Sequence, residues 1–218
     1  MRDAAEAWPP VCPLCAVPET GQEAECGTRR YARCPKCDLV FLDPAQRPTP
    51  AEEKAEYDLH ENDPGDPRYR RWLSRLVDPM LEGVVTPITA LDYGSGPGPT
   101  ISVMLKERGH TARNYDPFFA PDRAALGETY DLIFCSETTE HFFHPSREFA
   151  VLFACLREGG KIGVMTQMLT PDIDFATWRY RLQPSHVAFY TPTTMEWIAE
   201  HYGATLDLRL PDVAVFAR

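Results

Sequence analysis

Along the second two-thirds of the chain, apolar residues recur at two periods that mark out helices and strands in turn. Tyr69, Trp72, Leu73, Leu76, Val77, Met80 and Leu81 follow the i, i+3, i+4, i+7 spacing of an amphipathic helix. Asp66 and Pro67 supply its N-cap and first turn, and Pro79 predicts a stop or kink near Val77 or Asp78. This stripe reads as core packing rather than a ligand surface. Short apolar runs at 88–93, 111–115, 130–136 and 161–166 predict strands. Between them, helices are expected at 100–108, after a Ser146 cap with Phe149, Leu152, Phe153 and Leu156 on one face, and after Thr191-Pro192, with Gly203 as its stop. Residues 206–210 and 213–216 predict a closing pair of strands in a reversed hairpin.

The N-terminal segment, 1–43, follows a different logic. Cys12-Pro13-Leu14-Cys15 and Cys34-Pro35-Lys36-Cys37 stand on either side of the stretch 16–33, a spacing that fits a zinc ribbon. Each two-residue gap lets both thiolates of a pair reach one tetrahedral ion at ~2.3 Å, and four thiolates leave no position for water, so such a site is structural. Incidental surface cysteines are the bland alternative. A redox pair would open a helix after a strand, and neither pair does. Residues 38–42 form an apolar run able to complete a small sheet. So short a segment needs metal binding to supply its folding free energy. Cys26 has no partner at ligand spacing, and Cys135 and Cys155 read as buried small hydrophobes. From 44 to 65 the chain is rich in proline and charge and is expected to be an irregular linker. The expected organisation is therefore a zinc ribbon at 1–43, a linker at 44–65 and a larger domain at 66–218.

The strand at 88–93 runs directly into Gly94-Ser95-Gly96-Pro97-Gly98 and then into a helix, the setting a nucleotide-type loop requires. Spacing of glycines alone also suits a plain structural turn. Pro99-Thr100 lacks the lysine of a triphosphate-binding loop, which excludes that class. With Asp92 two positions ahead, the segment reads Asp-x-Gly-x-Gly-x-Gly and resembles the first motif of the class I S-adenosylmethionine (SAM)-dependent methyltransferases.

That resemblance spans about residues 66–218 and implies several roles. Asp92, Gly94, Ser95, Gly96 and Gly98 would hold the methionine portion of SAM. Asp116, at the end of the strand expected at 111–115, would accept hydrogen bonds from the ribose hydroxyls, and Pro117 and Phe118 would pack on the adenine. Glu137-Thr138-Thr139-Glu140-His141 is similar to the family's fourth motif and places Glu137 and His141 beside the sulfonium and the acceptor. Glu140 fits a structural acid equally well. The implied fold is a Rossmann-like α/β sandwich, mostly parallel, with an antiparallel last strand. Only the short stretch 117–130 separates Asp116 from Asp131, so the third strand is expected to be shortened or missing; Asp122 is a weak guess for the adenine-contacting acid of that region.

Residues 175–190 form an aromatic-rich segment where a lid would belong. Its His-x-x-Phe-Tyr ending is similar to one found in several small-molecule methyltransferases. His141, His186 and Tyr190 are thus the candidate catalytic residues, although a lone histidine is as readily a packing residue; His60 and His144 are weaker candidates.

Charge narrows the acceptor. The chain carries 22 Lys and Arg against 32 Asp and Glu, a net charge of −10, and the basic residues Arg68, Arg70, Arg71 and Arg75 sit at helical spacing as a solvated face. Polynucleotide binding draws on phosphate neutralisation, so a small neutral or cationic acceptor is expected. The alternatives are an RNA methyltransferase that uses the ribbon for RNA contact, and a non-catalytic SAM-binding or scaffold protein. An NAD-dependent oxidoreductase lacks its Tyr-x-x-x-Lys site here. No apolar run reaches the ~18 residues of a membrane span, and the N-terminal stretch 1–10 has no secretory pattern, so the expected location is cytoplasmic. Oligomeric state stays open.

Overall fold

Two sheets organise the computed structural model, which describes residues 8–18, 20–59 and 61–218. His60 and the opening stretch 1–7 of the ribbon segment lie outside the described residues. Near the N-terminus, β1 (Gly21–Cys26), β2 (Arg29–Arg33) and β3 (Val40–Leu42) form an antiparallel meander. The two CxxC turns that flank β1 and β2 share one geometry. Cys12 N–H donates to Val17 O at 2.9 Å, and Cys34 N–H donates to Leu39 O at 3.0 Å. Ala16 and Asp38, each directly after its pair, take left-handed φ values of 58° and 59°.

The proline-rich stretch expected to be irregular contains a helix, α1 (Pro50–Tyr57). Thr49 and Glu52 close a reciprocal capping box, and Pro50 stands in the first turn. The next helix, α2 (Pro67–Leu81), opens on the Asp66 cap as the sequence suggests but runs through Pro79 to Leu81. A proline so near the end removes one hydrogen bond from the last turn and leaves the rest intact. Leu73, Leu76, Val77 and Met80 are buried against the main sheet.

The main sheet is built from β4 (Thr89–Tyr93), β5 (Thr111–Tyr115), β6 (Tyr130–Ser136) and β7 (Leu156–Met165), with α3 (Thr100–Glu107) after β4 and α4 (Pro145–Ala154) before β7. Helix α4 starts at Pro145 with no side-chain cap, so the Ser146 cap is not formed. Beyond β7 come β8 (Ala188–Phe189), α5 (Pro192–Tyr202), β9 (Thr205–Arg209) and β10 (Val213–Ala217). Strand order is β5-β4-β6-β7-β10-β9. The first four are parallel, and β10 is antiparallel to both of its neighbours. This is the Rossmann-like α/β sandwich with a reversed closing hairpin. A 3-10 turn at Arg123–Gly127 stands where a third strand would be, leaving β5 as the sheet edge. Arg113 on β5 pairs there with Asp122 at 2.7 Å and with Glu128, charges that guard an open edge. Asp122 is thus engaged at the edge.

Strand β8 leaves the main body and pairs antiparallel with β3, giving the small sheet the order β1-β2-β3-β8. The Arg29 guanidinium donates to the carbonyls of Arg181, Gln183 and Pro184 at 3.3, 3.4 and 2.8 Å, so the ribbon grips the chain on the way to β8. No helix among the described residues is long and apolar enough to cross a membrane.

Phe149 sits at the junction of α4, the lid's end and β10, fully buried and edge-on to Phe142, Tyr190 and Phe216. Phe149→Ala is expected to destabilise the fold by about 3–5 kcal/mol, read as a fall in the urea midpoint.

Candidate active site

The chain passes from β4 to β5 on one side and to β6 on the other, so the carboxyl ends of β4 and its neighbours face a crevice at a topological switch point. A cavity of about 1180 Å³ opens there. The glycine loop forms its floor. Gly94 and Gly96 have φ of 75° and 63°, the left-handed region that side chains disfavour. A Cβ on Gly94 would lie 2.3 Å from Thr138 Cγ2, and one on Gly98 would lie 2.1 Å from the Asn62 carbonyl oxygen. Two of the three glycines are therefore needed for the protein's own close packing. The segment leading into α2 crosses the loop at Asn62, where Thr100 Oγ1 donates to Asn62 O at 3.1 Å.

Gly94 N–H donates to Tyr115 O at 2.7 Å and Gly96 N–H to Asp116 Oδ2 at 2.9 Å. Asp116 Oδ1 accepts from the Phe118 and Phe119 N–H groups at 2.8 and 3.0 Å. One carboxyl thus ties the loop to the turn beyond β5, and the two predicted cofactor elements share a face. Asp92 is buried, and that burial raises its pKa to about 7 against a hydrogen bond from the Ser102 N–H. Ser95 Oγ and Ser136 Oγ are buried at the cavity wall with no hydrogen-bond partner among the described residues.

The predicted residues Asp92, Gly94, Ser95, Gly96, Gly98 and Asp116 all line this cavity, as do Pro117, Phe118, Glu137, His141 and His186. Tyr190 does not. Its ring is fully buried, and its hydroxyl donates to Thr139 O at 3.0 Å, so the structure places this catalytic candidate in the packing, away from the cavity lining. His144 is exposed at the start of α4, away from the cavity lining.

Glu137 has a positive φ of 47°; burial, then the nearby Glu140, raise its pKa to about 9. Tyr180 OH lies 2.6 Å from Glu140 Oε1 and 3.4 Å from Glu137 Oε2. Burial lowers His186 to about 4, keeping the imidazole neutral at physiological pH.

Several wall residues escaped the sequence reading. Tyr57 of α1 stands edge-on to His141 with ring centroids 5.1 Å apart, yet α1 has no apolar stripe to announce it. Tyr69 and Trp72 of α2 stack at 5.9 Å and face the cavity, so the stripe taken as core is shared between core and cavity. Trp178 and Tyr180 complete the aromatic roof from the lid. Far ahead of the lid in the chain, one sulfur from each of Cys12, Cys15, Cys34 and Cys37 lies within 4.8 Å of the others. All four are free thiols, and Cys26 stands outside the group.

A methyltransferase-domain family model matches residues 36–208. The chain belongs to that family, and its fold is that of the class I SAM-dependent enzymes. A SAM-dependent methyltransferase from Archaeoglobus fulgidus superposes with a TM-score of 0.52 at 16% identity, covering 68% of this chain and 92% of the other. The 1,6-didemethyltoxoflavin-N1-methyltransferase of Burkholderia thailandensis, solved with 1,6-didemethyltoxoflavin and S-adenosylhomocysteine, gives 0.51 at 14% identity over 90% and 98%. An O-methyltransferase family protein from Burkholderia thailandensis gives 0.50 at 12% identity over 76% and 62%. No curated protein matches the sequence.

Gly94→Ala forces a Cβ into Thr138 at a left-handed φ. Its expected effect is a loss of about 2 kcal/mol or more, measured as a lowered Tm.

Proposed function

We propose that this chain transfers the methyl group of SAM to a small, neutral or cationic acceptor held beneath the aromatic lid. The observation that carries this reading is the tie between Gly96 N–H and Asp116, which sets a bulk-free loop and a carboxyl on one cavity wall. When bound there, SAM supplies an already activated methyl group. On transfer to the acceptor's nucleophilic atom the sulfur would keep the electron pair of the broken S–CH3 bond, and any proton on that atom would pass to a wall imidazole or to solvent.

The residues present fit the cofactor. Ser95 and Ser136 offer unpaired hydroxyls and Asp92 a carboxyl for the amino group, while Asp116, whose oxygens accept from Gly96, Phe118 and Phe119, keeps one lone-pair site on Oδ2 for a ribose hydroxyl. Phe118 and Phe119 provide flat apolar faces beside it. Most of the chain's own contribution is positioning, which is worth ~7–11 kcal/mol when geometry is right. His141 is the wall imidazole placed to take a proton from an O, N or C acceptor, and His186, kept neutral by burial, is the weaker base beside it. Asp116 and Asp174 at the wall outweigh Arg179, which disfavours an anionic acceptor. The Burkholderia thailandensis N1-methyltransferase, whose bound acceptor is a heteroaromatic small molecule, is consistent with a flat acceptor here. The thiols of Cys12, Cys15, Cys34 and Cys37 suit a structural zinc ion, since a set of four thiolates closes its coordination. Free cysteines suit a reducing, cytoplasmic compartment. In this reading residues 1–43 are the ribbon and 66–218 the transferase domain, with α1 of the intervening segment adding to the cavity wall.

Calorimetric titration with S-adenosylhomocysteine tests the assignment. Asp116→Asn keeps an acceptor for the Phe118 and Phe119 N–H groups but loses the charge and turns an amide NH2 toward the Gly96 N–H, and is expected to weaken binding by about tenfold or more. Unchanged affinity in Asp116→Asn would remove the ribose role. Asp92 gives a pH signature. A ligand ammonium beside it favours the ionised carboxyl, so binding releases protons near pH 6.5. With a free-state pKa of about 7, affinity should rise roughly tenfold from pH 6 to pH 8. Asp92→Asn should flatten that rise.

A further inference from the structure

Among the described residues the N-terminal segment contributes no side chain to the cavity lining, yet one of its strands faces the lid. Side chains two apart on a strand share a face, and on β2 that face carries Arg29 and Tyr31. Tyr31 is fully buried, edge-on to Phe175 and Phe189 with ring centroids 5.0 and 5.9 Å away. Arg30, between them, turns the other way to Asp43 and Trp8.

Arg29 meets the lid where its backbone turns. Arg179–Leu182 form a 3-10 turn with no side-chain cap. At its end the carbonyls of Arg181, Gln183 and Pro184 converge on one guanidinium. Carbonyls at a helix end lack partners inside the helix. A planar fork of N–H donors can serve several at once, which an ammonium on a flexible stem does poorly. The turn that Arg29 closes also carries two wall residues. Tyr180 lines the cavity and donates its hydroxyl to Glu140 Oε1 at 2.6 Å. His186 is tied back to the same turn twice: its N–H donates to Gln183 O at 3.1 Å, and its Nδ1 lies 2.7 Å from Tyr180 O. Gln183 O therefore accepts from Arg29 and from His186 together, and a displaced turn would carry both wall residues with it.

We propose that Arg29 is a positioning residue: from the N-terminal sheet it fixes the lid turn and so sets where Tyr180 and His186 stand at the cavity wall. The segment before β3 then acts on the acceptor half of the cavity and leaves the glycine floor to Asp116 and Asn62. That an acceptor occupies this half rests on the methyltransferase reading; the positioning does not.

His186 reports the effect. Burial brings its pKa down to about 4; Glu140 and the Tyr180 carbonyl act upward, while His141 and Arg29 act downward. Loosening the turn admits water to the ring, and removing the guanidinium removes a positive charge, so both changes raise the value. Arg29→Lys separates them, because it keeps the charge and loses the fork.

The test is NMR titration of the histidine side chains in the full-length, zinc-replete protein between about pH 5 and pH 8, with amide hydrogen exchange on the same samples. In the wild type His186 is expected to stay neutral over most of that range. In Arg29→Met its pKa should rise by about one pH unit or more. The His186 and Val187 amides should exchange about tenfold faster or more. Arg29→Lys should give the faster exchange with a smaller rise. A folded Arg29→Met with either readout unchanged overturns the proposal. Should that variant fail to fold, unchanged exchange in Arg29→Lys overturns it equally. S-adenosylhomocysteine binding, measured alongside, is expected to stay within about twofold of wild type in the folded variants; a larger loss would mark a general loosening and overturn the local role. Its absence in the wild type would overturn the transferase reading while leaving the lid result to stand on its own.

Discussion

The architecture of the cavity depends on one carboxyl group. Asp116 accepts from Gly96 on the far side of a strand boundary and from Phe118 and Phe119 on its own side. It thereby sets the separation between the loop after β4 and the turn after β5. In a parallel sheet the strand ends are independent loops, free to drift unless something spans them. Here the span is made by hydrogen bonds to a charged acceptor, stronger than those between neutral groups, and Tyr115 O reinforces it by accepting from Gly94. The Asn62 crossing closes the loop from above, so the glycine floor is held on three sides by protein.

Around that floor, the remaining walls come from segments far apart in sequence. Helices α1 and α2 bring aromatic rings from one side, the β6 turn brings Glu137 and His141, and the lid brings Trp178, Tyr180 and His186. The ribbon contributes indirectly. Arg29 holds the carbonyls of the lid segment, and β3 pairs with β8 immediately after His186. The thiol cluster thus flanks a sheet whose outermost strand is the continuation of the cavity wall, which connects an otherwise remote segment mechanically to the cavity.

Much of this was legible in the sequence where one local rule decided the outcome. Period-3.6 and apolar-run patterns placed the parallel strands and α2 through α5, and the glycine and CxxC spacings found the loop and the thiol cluster. The short gap between Asp116 and Asp131 announced the missing strand. What was not legible was set by contacts without a local pattern. Helix α1 buries no residue completely, so it lacks a stripe, and only the Thr49–Glu52 box betrays it. Strands β1 and β2 are short and charged, and their register slips between Gln22 and Ala24, which breaks alternation. Pro79 misled because the rule against helical proline weakens in a last turn. Tyr190 misled because a motif gives residue type but not direction, and here its hydroxyl turns inward to Thr139. Tyr69 and Trp72 share a helical stripe with true core residues, and only the tertiary position of α2 separates the two groups.

The β3–β8 pairing bears on modularity. Sequence composition draws a border near residue 43, inviting the view that the N-terminal piece was appended to a finished enzyme and could be exchanged. A chain cut at that border would expose the hydrogen-bonding edge of β8 and strand the backbone oxygens that Arg29 now serves. The two parts are therefore joined at the level of a shared sheet, so an exchange of the cysteine-bearing piece would carry its disturbance across the seam into the cavity wall.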